Sequence, residues 1–235
     1  MRSAPGPSPH RHHILGDLQD EVLRIFFERC DPLRQFALSG GTALAEFYLG
    51  HRLSEDLDFF TLVEGVVVAT GTALPRAIET GIRGAAVEVL QSSTELRRYR
   101  VGTDKESTLI DLGRASPPVL NPTRIIDGVM VESFLDIAAG KLAALLAREE
   151  GKDAVDVWAV SNLGGLPLLD LVSGVYEKDP GLADYPQVIA DALRRNATSL
   201  PRLPAVLTPV DPSEIARFFA EEHEKFIRSL QPRRR

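Results

Sequence analysis

The sequence predicts an α+β fold in which a mixed sheet precedes a helical C-terminal half. Up to about residue 128, short apolar runs that end at glycine, proline or polar residues alternate with helical patterns. From about residue 130 the chain consists of helical segments separated by proline-containing loops. Its 235 residues are 44% hydrophobic and 26% charged, which is typical of a globular protein with a substantial core.

Three segments follow from this pattern. Residues 1–13 contain four prolines or glycines and no hydrophobic periodicity, which predicts a disordered leader. Residues 14–128 are predicted to form the core domain, which contains the sheet. Residues 129–235 are predicted to form a helical domain that completes the active site.

The individual elements have their own signals. Apolar residues at helical spacing predict helices over 17–30, 42–49, 68–83, 133–148, 152–161, 166–176, 184–196 and 212–230. Short apolar or alternating runs predict strands over 36–38, 57–60, 86–90, 95–101 and 108–112.

Composition excludes several classes of protein. A formal net charge of −6 argues against a protein that coats nucleic acid by charge alone. Cys30 is the only cysteine, so an intramolecular disulfide and a cysteine-rich zinc site are excluded. No window approaches the roughly 20 apolar residues of a membrane span, and the N-terminus lacks the apolar stretch of a secretory signal. We therefore expect no membrane association and a cytoplasmic location.

Two aspartates stand in the second predicted strand. Asp56 and Asp58 are two residues apart, so their side chains share one face of a strand, while Leu57 and Phe59 point to the other. Carboxylates repel each other and desolvate poorly, so their placement beside aromatic residues needs a compensating cation. Mg²⁺ or Mn²⁺ would provide it, and such ions assist phosphoryl and nucleotidyl transfer.

A glycine turn precedes these aspartates by one helix. The sequence Ser39-Gly40-Gly41-Thr42 joins a predicted strand to a predicted helix, which leaves the first backbone N–H groups of the helix free. Glycine lets a phosphate approach them closely. We therefore expect Gly40, Gly41 and Thr42 to bind the phosphates of a nucleotide. The alternative is a simple turn followed by a solvated strand end.

Asp111 is the best candidate for a third carboxylate, because its neighbours Leu109, Ile110 and Leu112 indicate a strand. Beside Asp56 and Asp58 it would serve as a metal ligand or a general base. As an isolated residue it would equally suit a structural or edge position.

Lys141 lies in the apolar stripe of the helix that is predicted over 133–148. A lysine aimed at a core is costly unless it reaches an anion, and a triphosphate is such an anion. Arg148, two turns further on, would reach the same groups. The alternative is that Lys141 extends to solvent and that Lys152 and Asp156 form a surface pair at i,i+4 spacing.

Two sequence blocks together resemble one family. The first is Gly40-Gly41-Thr42-Ala43-Leu44 with His51-Arg52-x-Ser54-x-Asp56-Leu57-Asp58-Phe59-Phe60. The second is Lys141-Leu142-x-Ala144, Arg148 and Lys152-Asp153-x-x-Asp156. In this order and spacing they resemble the AbiEii/AbiGii group of abortive-infection toxins, within the polymerase-beta-type nucleotidyltransferase superfamily. Residues 165–235 carry no recognised motif.

The resemblance implies a nucleotidyltransferase core and metal-dependent transfer of a nucleotide from an NTP to the acceptor end of tRNA, with a cognate antitoxin. It assigns Asp56 and Asp58 to the metal, and Gly40 to Thr42 to the triphosphate. It also places Lys141 and either Asp153 or Asp156 in the active site, without deciding between the two. Arg52, Ser54 and Lys152 are further candidates for phosphate binding, although Arg52 and Ser54 would equally fix the strand by hydrogen bonds.

Basic residues alternate with Tyr99 in the strand predicted over 95–101. Arg98 and Arg100 would share one face, and Arg97 and Tyr99 the other. Such a strand would grip RNA or stack a base, or it would be a charged edge strand that resists aggregation.

Two other functions remain compatible with the motifs. The first is a nucleotidyltransferase whose acceptor is a small-molecule or protein hydroxyl. The second is a binding module of the same fold without catalysis, which three acidic candidate residues make a weaker explanation.

Overall fold

Seven strands form one mixed sheet within residues 6–231, the part of the chain that the computed structural model describes. In chain order they are β1 (Ala37–Ser39), β2 (Asp56–Thr61), β3 (Ala86–Ser92), β4 (Leu96–Gly102), β5 (Ser107–Arg114), β6 (Arg124–Ile126) and β7 (Val129–Val131). Their order in the sheet is β3-β4-β5-β2-β1-β7-β6. The β2–β5 and β1–β7 pairs are parallel and the other pairs antiparallel, so the predicted α+β class with a mixed sheet is confirmed.

Helices surround this sheet and make up most of the C-terminal half. They are α1 (Asp17–Ile25), α2 (Gly40–Leu44), α3 (Val66–Gly81), α4 (Phe134–Ala147), α5 (Gly151–Asn162), α6 (Leu168–Lys178), α7 (Pro186–Thr198) and α8 (Pro212–Leu230). π-Helical turns extend α1 to Cys30 and α2 to Leu49. Helix α4 packs against α5 and α6, and α8 packs against α5 and α7. In residues 6–231 no helix combines the length and hydropathy that crossing a membrane requires.

The two faces of the sheet have different partners. On the apolar face, Phe59 of β2 stacks on Phe26 with ring centroids 3.9 Å apart. Tyr99 of β4 is buried on the same side and donates a hydrogen bond to the carbonyl of Gly71 in α3, at 2.8 Å. Tyr99 is therefore a core residue and does not offer its ring to a base. The opposite face of β2 carries Asp56 and Asp58, whose side chains alternate with the buried apolar ones.

Residues 6–13 of the predicted leader form hydrogen bonds with the π-helical turn after α2, and residues 1–5 lie outside the described part. The backbone N–H groups of His10 and His12 donate to the carbonyls of Phe47 and Glu46 at 3.0 and 2.8 Å. The buried carboxylate of Glu46 also accepts a hydrogen bond from Arg11 Nε at 2.9 Å. A buried carboxylate needs donors, and the leader supplies them without any hydrophobic periodicity of its own.

The predicted boundary between residues 128 and 129 lies at the turn of the β6–β7 hairpin. Strand β7 pairs in parallel with β1, at Leu38 opposite Val131, and therefore belongs to the same sheet as the core. Both strands of this hairpin have only three residues, too few to show a period. The division into two domains stays a prediction.

Candidate active site

Four polar side chains form a row across the face of the sheet opposite the aromatic core. Asp58 of β2 pairs with Asp111 of β5 on one side and with Ser39 of β1 on the other. Asp111 in turn lies opposite Arg98 of β4. Directly paired residues project to the same face. We call Arg98, Asp111, Asp58 and Ser39 the polar row.

Asp58 occupies the middle of the polar row and has a perturbed carboxyl group. Burial raises its pKa to about 6, with further raising by the charges of Asp111 and Asp56 and an opposing effect of Lys141. No hydrogen bond contributes to this shift. The ionised Asp58 carboxylate is therefore short of positive partners among the described residues.

The glycine turn packs directly against this carboxylate. Gly40 has a φ of +69°, and a Cβ at this position would collide with the carboxylate of Asp58. A Cβ on Gly41 would meet the side chains of Arg52 and Ser54, the latter at 2.9 Å from Oγ. Thr42 donates its buried hydroxyl to the carbonyl of Asp56. Glycine thus lets the carboxylate of Asp58 lie directly against the turn, and the Thr42 side chain supports β2 while leaving only its backbone to a ligand.

We expect Gly40→Ala to reduce the nucleotide transfer that the resemblance implies at least about 100-fold, because an added Cβ collides with the carboxylate of Asp58 and must displace it. Gly84→Ala is the control for backbone strain alone: Gly84 has a φ of +79° with nothing within 4 Å of an added Cβ. In thermal unfolding Gly84→Ala should lose about 1–2 kcal/mol through strain, and Gly40→Ala should lose more, because the collision adds to the strain of its left-handed backbone. Equal activity of the two variants in a transfer assay would refute a role for the close packing of Gly40 on Asp58.

Asp156 of α5 anchors a buried network that joins the two motif blocks. Arg52 binds both of its oxygens, through Nε at 2.6 Å and Nη2 at 2.8 Å. Lys141 Nζ lies 2.9 Å from Oδ2, and His51 Nε2 lies 2.8 Å from Oδ1. Burial opposes ionisation, but Lys141, Arg52 and His51 hold the pKa of Asp156 well below its usual range. Lys141 does not extend to solvent, and Asp156 does not form a surface pair with Lys152.

Asp153 lies one turn earlier on α5 and is also fully buried. Arg148 binds its carboxylate through Nε at 2.7 Å and Nη2 at 3.1 Å, and Lys141 Nζ lies 3.9 Å away. Lys152 is half exposed and pairs with Glu150 at 3.1 Å. The sequence did not decide whether Asp153 or Asp156 belongs to the active site, and both lie beside Lys141. The carboxylate of Asp156 has more hydrogen-bond and ion-pair partners than that of Asp153.

Arg148 differs from its predicted position. The helix ends at Ala147, and Arg148 has an extended backbone, so it does not continue the stripe of Lys141. Its guanidinium reaches Asp153 from the loop between α4 and α5, with its side chain 45% exposed. Arg148 is thus placed at the rim of the site.

Asp111, the predicted third carboxylate, is bound by Arg98 on its other side. The guanidinium contacts both oxygens, with Nε to Oδ1 at 2.7 Å and Nη2 to Oδ2 at 2.6 Å. Within residues 6–231, no three histidine, cysteine or carboxylate side chains are arranged to hold one metal ion. The structure therefore brings Asp111 beside Asp58 in the sheet while its carboxylate is paired with Arg98.

Asp56 and Asp58 nevertheless fit a hard divalent cation. Both present carboxylate oxygens, the donor atoms that Mg²⁺ and Mn²⁺ prefer. Burial raises the pKa of Asp58, whose carboxylate has no hydrogen-bonded partner among the described residues. A cation bound by both aspartates would relieve the repulsion between their carboxylates.

Sequence reasoning missed one acidic residue beside the glycine turn. Ser39 donates its hydroxyl to the carboxylate of Glu132, directly after β7, and burial raises the pKa of Glu132. Lys178 at the end of α6 lies 3.9 Å from Glu132 and 2.7 Å from Asp136. The signal was absent because Glu132 reaches Ser39 only through the parallel pairing of β1 with β7.

The loop between α7 and α8 also borders the site. The backbone N–H groups of Leu207 and Thr208 donate to the carbonyl of His51, at 2.8 and 3.1 Å. Arg52 forms a β-bridge with Val206. Gly151 at the start of α5 packs so closely on the carbonyl of Arg202 that a Cβ would collide with it. The C-terminal half thus fixes both the His51–Arg52 segment and the start of α5.

Comparison with known proteins identifies the family of this chain. A family model described as the nucleotidyl transferase AbiEii toxin of a type IV toxin–antitoxin system matches residues 22–232. The uncharacterized protein aq_aa25 of Aquifex aeolicus strain VF5 is 32% identical over 144 residues, which cover 61% of this chain and 66% of that protein. The match thus spans just under two thirds of that relative's length.

Solved structures share the fold at lower identity. JHP933 from Helicobacter pylori is 19% identical, with a TM-score of 0.56 over 91% of this chain and 90% of that one. A second H. pylori structure, described as a candidate nucleotidyltransferase, has the same identity and TM-score and is covered over 93% of its chain. These similarities establish the fold.

Proposed function

The chain belongs to the AbiEii family of nucleotidyl transferase toxins of type IV toxin–antitoxin systems, and from this premise we propose that it transfers a nucleoside monophosphate from an NTP to an acceptor hydroxyl. We propose the acceptor end of tRNA as that acceptor. One observation carries the proposal: contacts link the glycine turn to Asp58 and, through Arg52 and Asp156, to Lys141.

A divalent cation held by Asp56 and Asp58 would supply charge stabilisation to the reacting phosphoryl group and lower the pKa of the acceptor hydroxyl. The chain's own residues provide the rest of the site. The backbone N–H groups after Gly40 are suited to bind the departing pyrophosphate. Asp111 stands next to Asp58 as a further ligand or base, provided that Arg98 leaves its carboxylate.

Lys141 is the cation best placed to bind the triphosphate. Its ammonium has three donors, and one of them binds Asp156 at 2.9 Å. Its charge also lowers the pKa of Asp58 against the effect of burial, so it lies within electrostatic range of that carboxylate. Arg52 spends its donors on Asp156 and on the carbonyl of Leu53, and is therefore proposed as a positioning residue for Lys141 and Asp156.

The test is incorporation of label from α-labelled NTPs, each offered singly with Mg²⁺ and total tRNA. We expect label in RNA with the wild-type chain and none with Asp58→Ala. Label in a protein or a small product would identify the alternative acceptors, and absence of any NTP turnover would indicate a binding module. Labelling that persists in Asp58→Ala would refute the site.

The toxin role has a genetic test. We propose that the protein acts in the cytoplasm and is neutralised by a cognate antitoxin, as its family implies. Induced expression should arrest growth, and Asp58→Ala should abolish the arrest at equal protein level. Relief by a neighbouring reading frame would support the antitoxin, whereas arrest by Asp58→Ala would show that toxicity does not need transfer.

A further inference from the structure

Arg98 places a fixed positive charge on the carboxylate nearest to Asp58 in the sheet. The β4–β5 register sets Arg98 opposite Asp111, and the β2–β5 register sets Asp111 opposite Asp58. Because neighbouring strands are about 4.8 Å apart, Asp111 is within reach of a cation bound at Asp58. Both Asp111 oxygens are instead bound by one guanidinium.

The exposure of this ion pair allows it to open. The Arg98 side chain is 45% exposed and that of Asp111 15%. Water can therefore solvate the guanidinium when it leaves the carboxylate, although the two-point contact makes this pair stronger than a typical surface ion pair. The hydrogen bonds and charge of Asp111 raise the pKa of Arg98, so the guanidinium stays charged at all physiological pH values. The guanidinium of Arg98 is therefore always charged, and it would compete with a bound cation for the carboxylate of Asp111.

We propose that Arg98 competes with the divalent cation for Asp111, a positioning role that keeps the third carboxylate in reserve and makes the free protein a weak metal binder. The inference rests on the proposed function in one respect, that Asp56 and Asp58 bind a divalent cation. It adds that Asp111 joins them only after the guanidinium has moved into solvent.

The neighbouring Arg100 provides a matched control. It lies on the same strand and face, and pairs with Glu88 of β3 at 2.7 Å, away from the carboxylates of β2 and β5. Its side chain is 52% exposed, similar to that of Arg98. Removal of Arg100 therefore changes the net charge equally without freeing a carboxylate at the site.

The experiment is Mn²⁺ binding to the full chain without nucleotide, followed by electron paramagnetic resonance of free Mn²⁺. We expect Arg98→Gln to tighten Mn²⁺ binding about three- to tenfold, Asp111→Asn to weaken it, and Arg100→Gln to leave it unchanged. Arg98→Gln should have no effect in the Asp111→Asn background, because it acts through that carboxylate. Unchanged affinity in Arg98→Gln, or an equal gain in both backgrounds, would overturn the proposal.

A second variant protects the test against loss of fold. Arg98→Lys keeps the charge but replaces a two-point contact with a single one, so Mn²⁺ affinity should fall between those of the wild type and Arg98→Gln. Transfer assays separate this inference from the proposed function. If the Mn²⁺ affinities respond as expected but the wild type transfers no label, only the proposed function fails. If the wild type transfers label but Arg98→Gln leaves the Mn²⁺ affinity unchanged, only the inference fails.

Discussion

Asp58→Asn is expected to reduce nucleotide transfer by about 1,000-fold or more while the fold remains intact. Asparagine keeps the shape of the side chain and removes the charge that we propose binds the cation. Asp58 lies against the glycine turn and beside Asp111. The carboxylate of Asp111 is bound by Arg98, so it does not replace the lost charge of Asp58. Transfer of label from an α-labelled NTP, compared at equal protein concentration, measures the loss.

The same variant should be more stable than the wild type in the absence of metal. Asp58 has a folded pKa of about 6 against an ordinary value of 3.8, so the fold disfavours its ionised form. This group therefore costs stability as the pH rises from about 4 to about 6, by up to about 3 kcal/mol above that range. Asparagine has no such cost, so the stability gain should be absent at pH 4 and complete at pH 8 in EDTA.

Asp104→Asn provides the control, since Asp104 is an exposed loop carboxylate. It should change neither transfer nor the pH dependence of thermal unfolding. If Asp58→Asn lost stability at pH 8, the carboxylate would have a structural partner, which would argue against its proposed role as a cation ligand.

Local patterns predicted the parts of the site that depend on short stretches of chain. The period of two in β2 fixed which side of the strand carries Asp56 and Asp58, because Leu57 and Phe59 had to be buried. The two glycines predicted the close approach of a phosphate, which stays a prediction; the group that lies against Gly40 in the structure is the carboxylate of Asp58. The alternation of β4 likewise separated Arg98 from Tyr99.

Partners that are distant in sequence could not be predicted. Arg52 and Asp156 are 104 residues apart, and nothing in either segment indicates that one binds the other. Arg98 meets Asp111 only because the antiparallel register of β4 and β5 sets the two residues opposite each other, and alternation leaves that register undetermined. The loop at Val206 joins Arg52 by a single β-bridge, a contact with no sequence signature.

Asp156→Asn is expected to destabilise the protein by about 3–5 kcal/mol, since it leaves buried Arg52 and Lys141 without their counter-ion. For a chain of this length the melting temperature should fall by about 10 °C. Because the folded pKa of Asp156 lies well below the ordinary value, its contribution is present above about pH 4 and is lost as the pH falls further. Thermal unfolding at pH 7 and pH 3 measures the difference, which should shrink at the lower pH.

Asp191→Asn is the matched control for Asp156→Asn. It removes an exposed carboxylate that pairs with Arg194 on α7 at 3.4 Å, and should cost less than about 1 kcal/mol. An equally small effect of Asp156→Asn would show that the buried network does not hold the two motif blocks together.

The stabilising and functional roles of Asp156 can be separated by replacing the network as a whole. A triple variant with Arg52→Met, Lys141→Met and Asp156→Leu removes these three buried charges, while Asp153 keeps its contact with Arg148. Apolar replacement of paired buried ions is often neutral or stabilising, so the melting temperature should return toward that of the wild type. Transfer should be abolished, because we propose that the ammonium of Lys141 binds the triphosphate. Recovered transfer in a stable triple variant would instead assign Lys141 to folding alone.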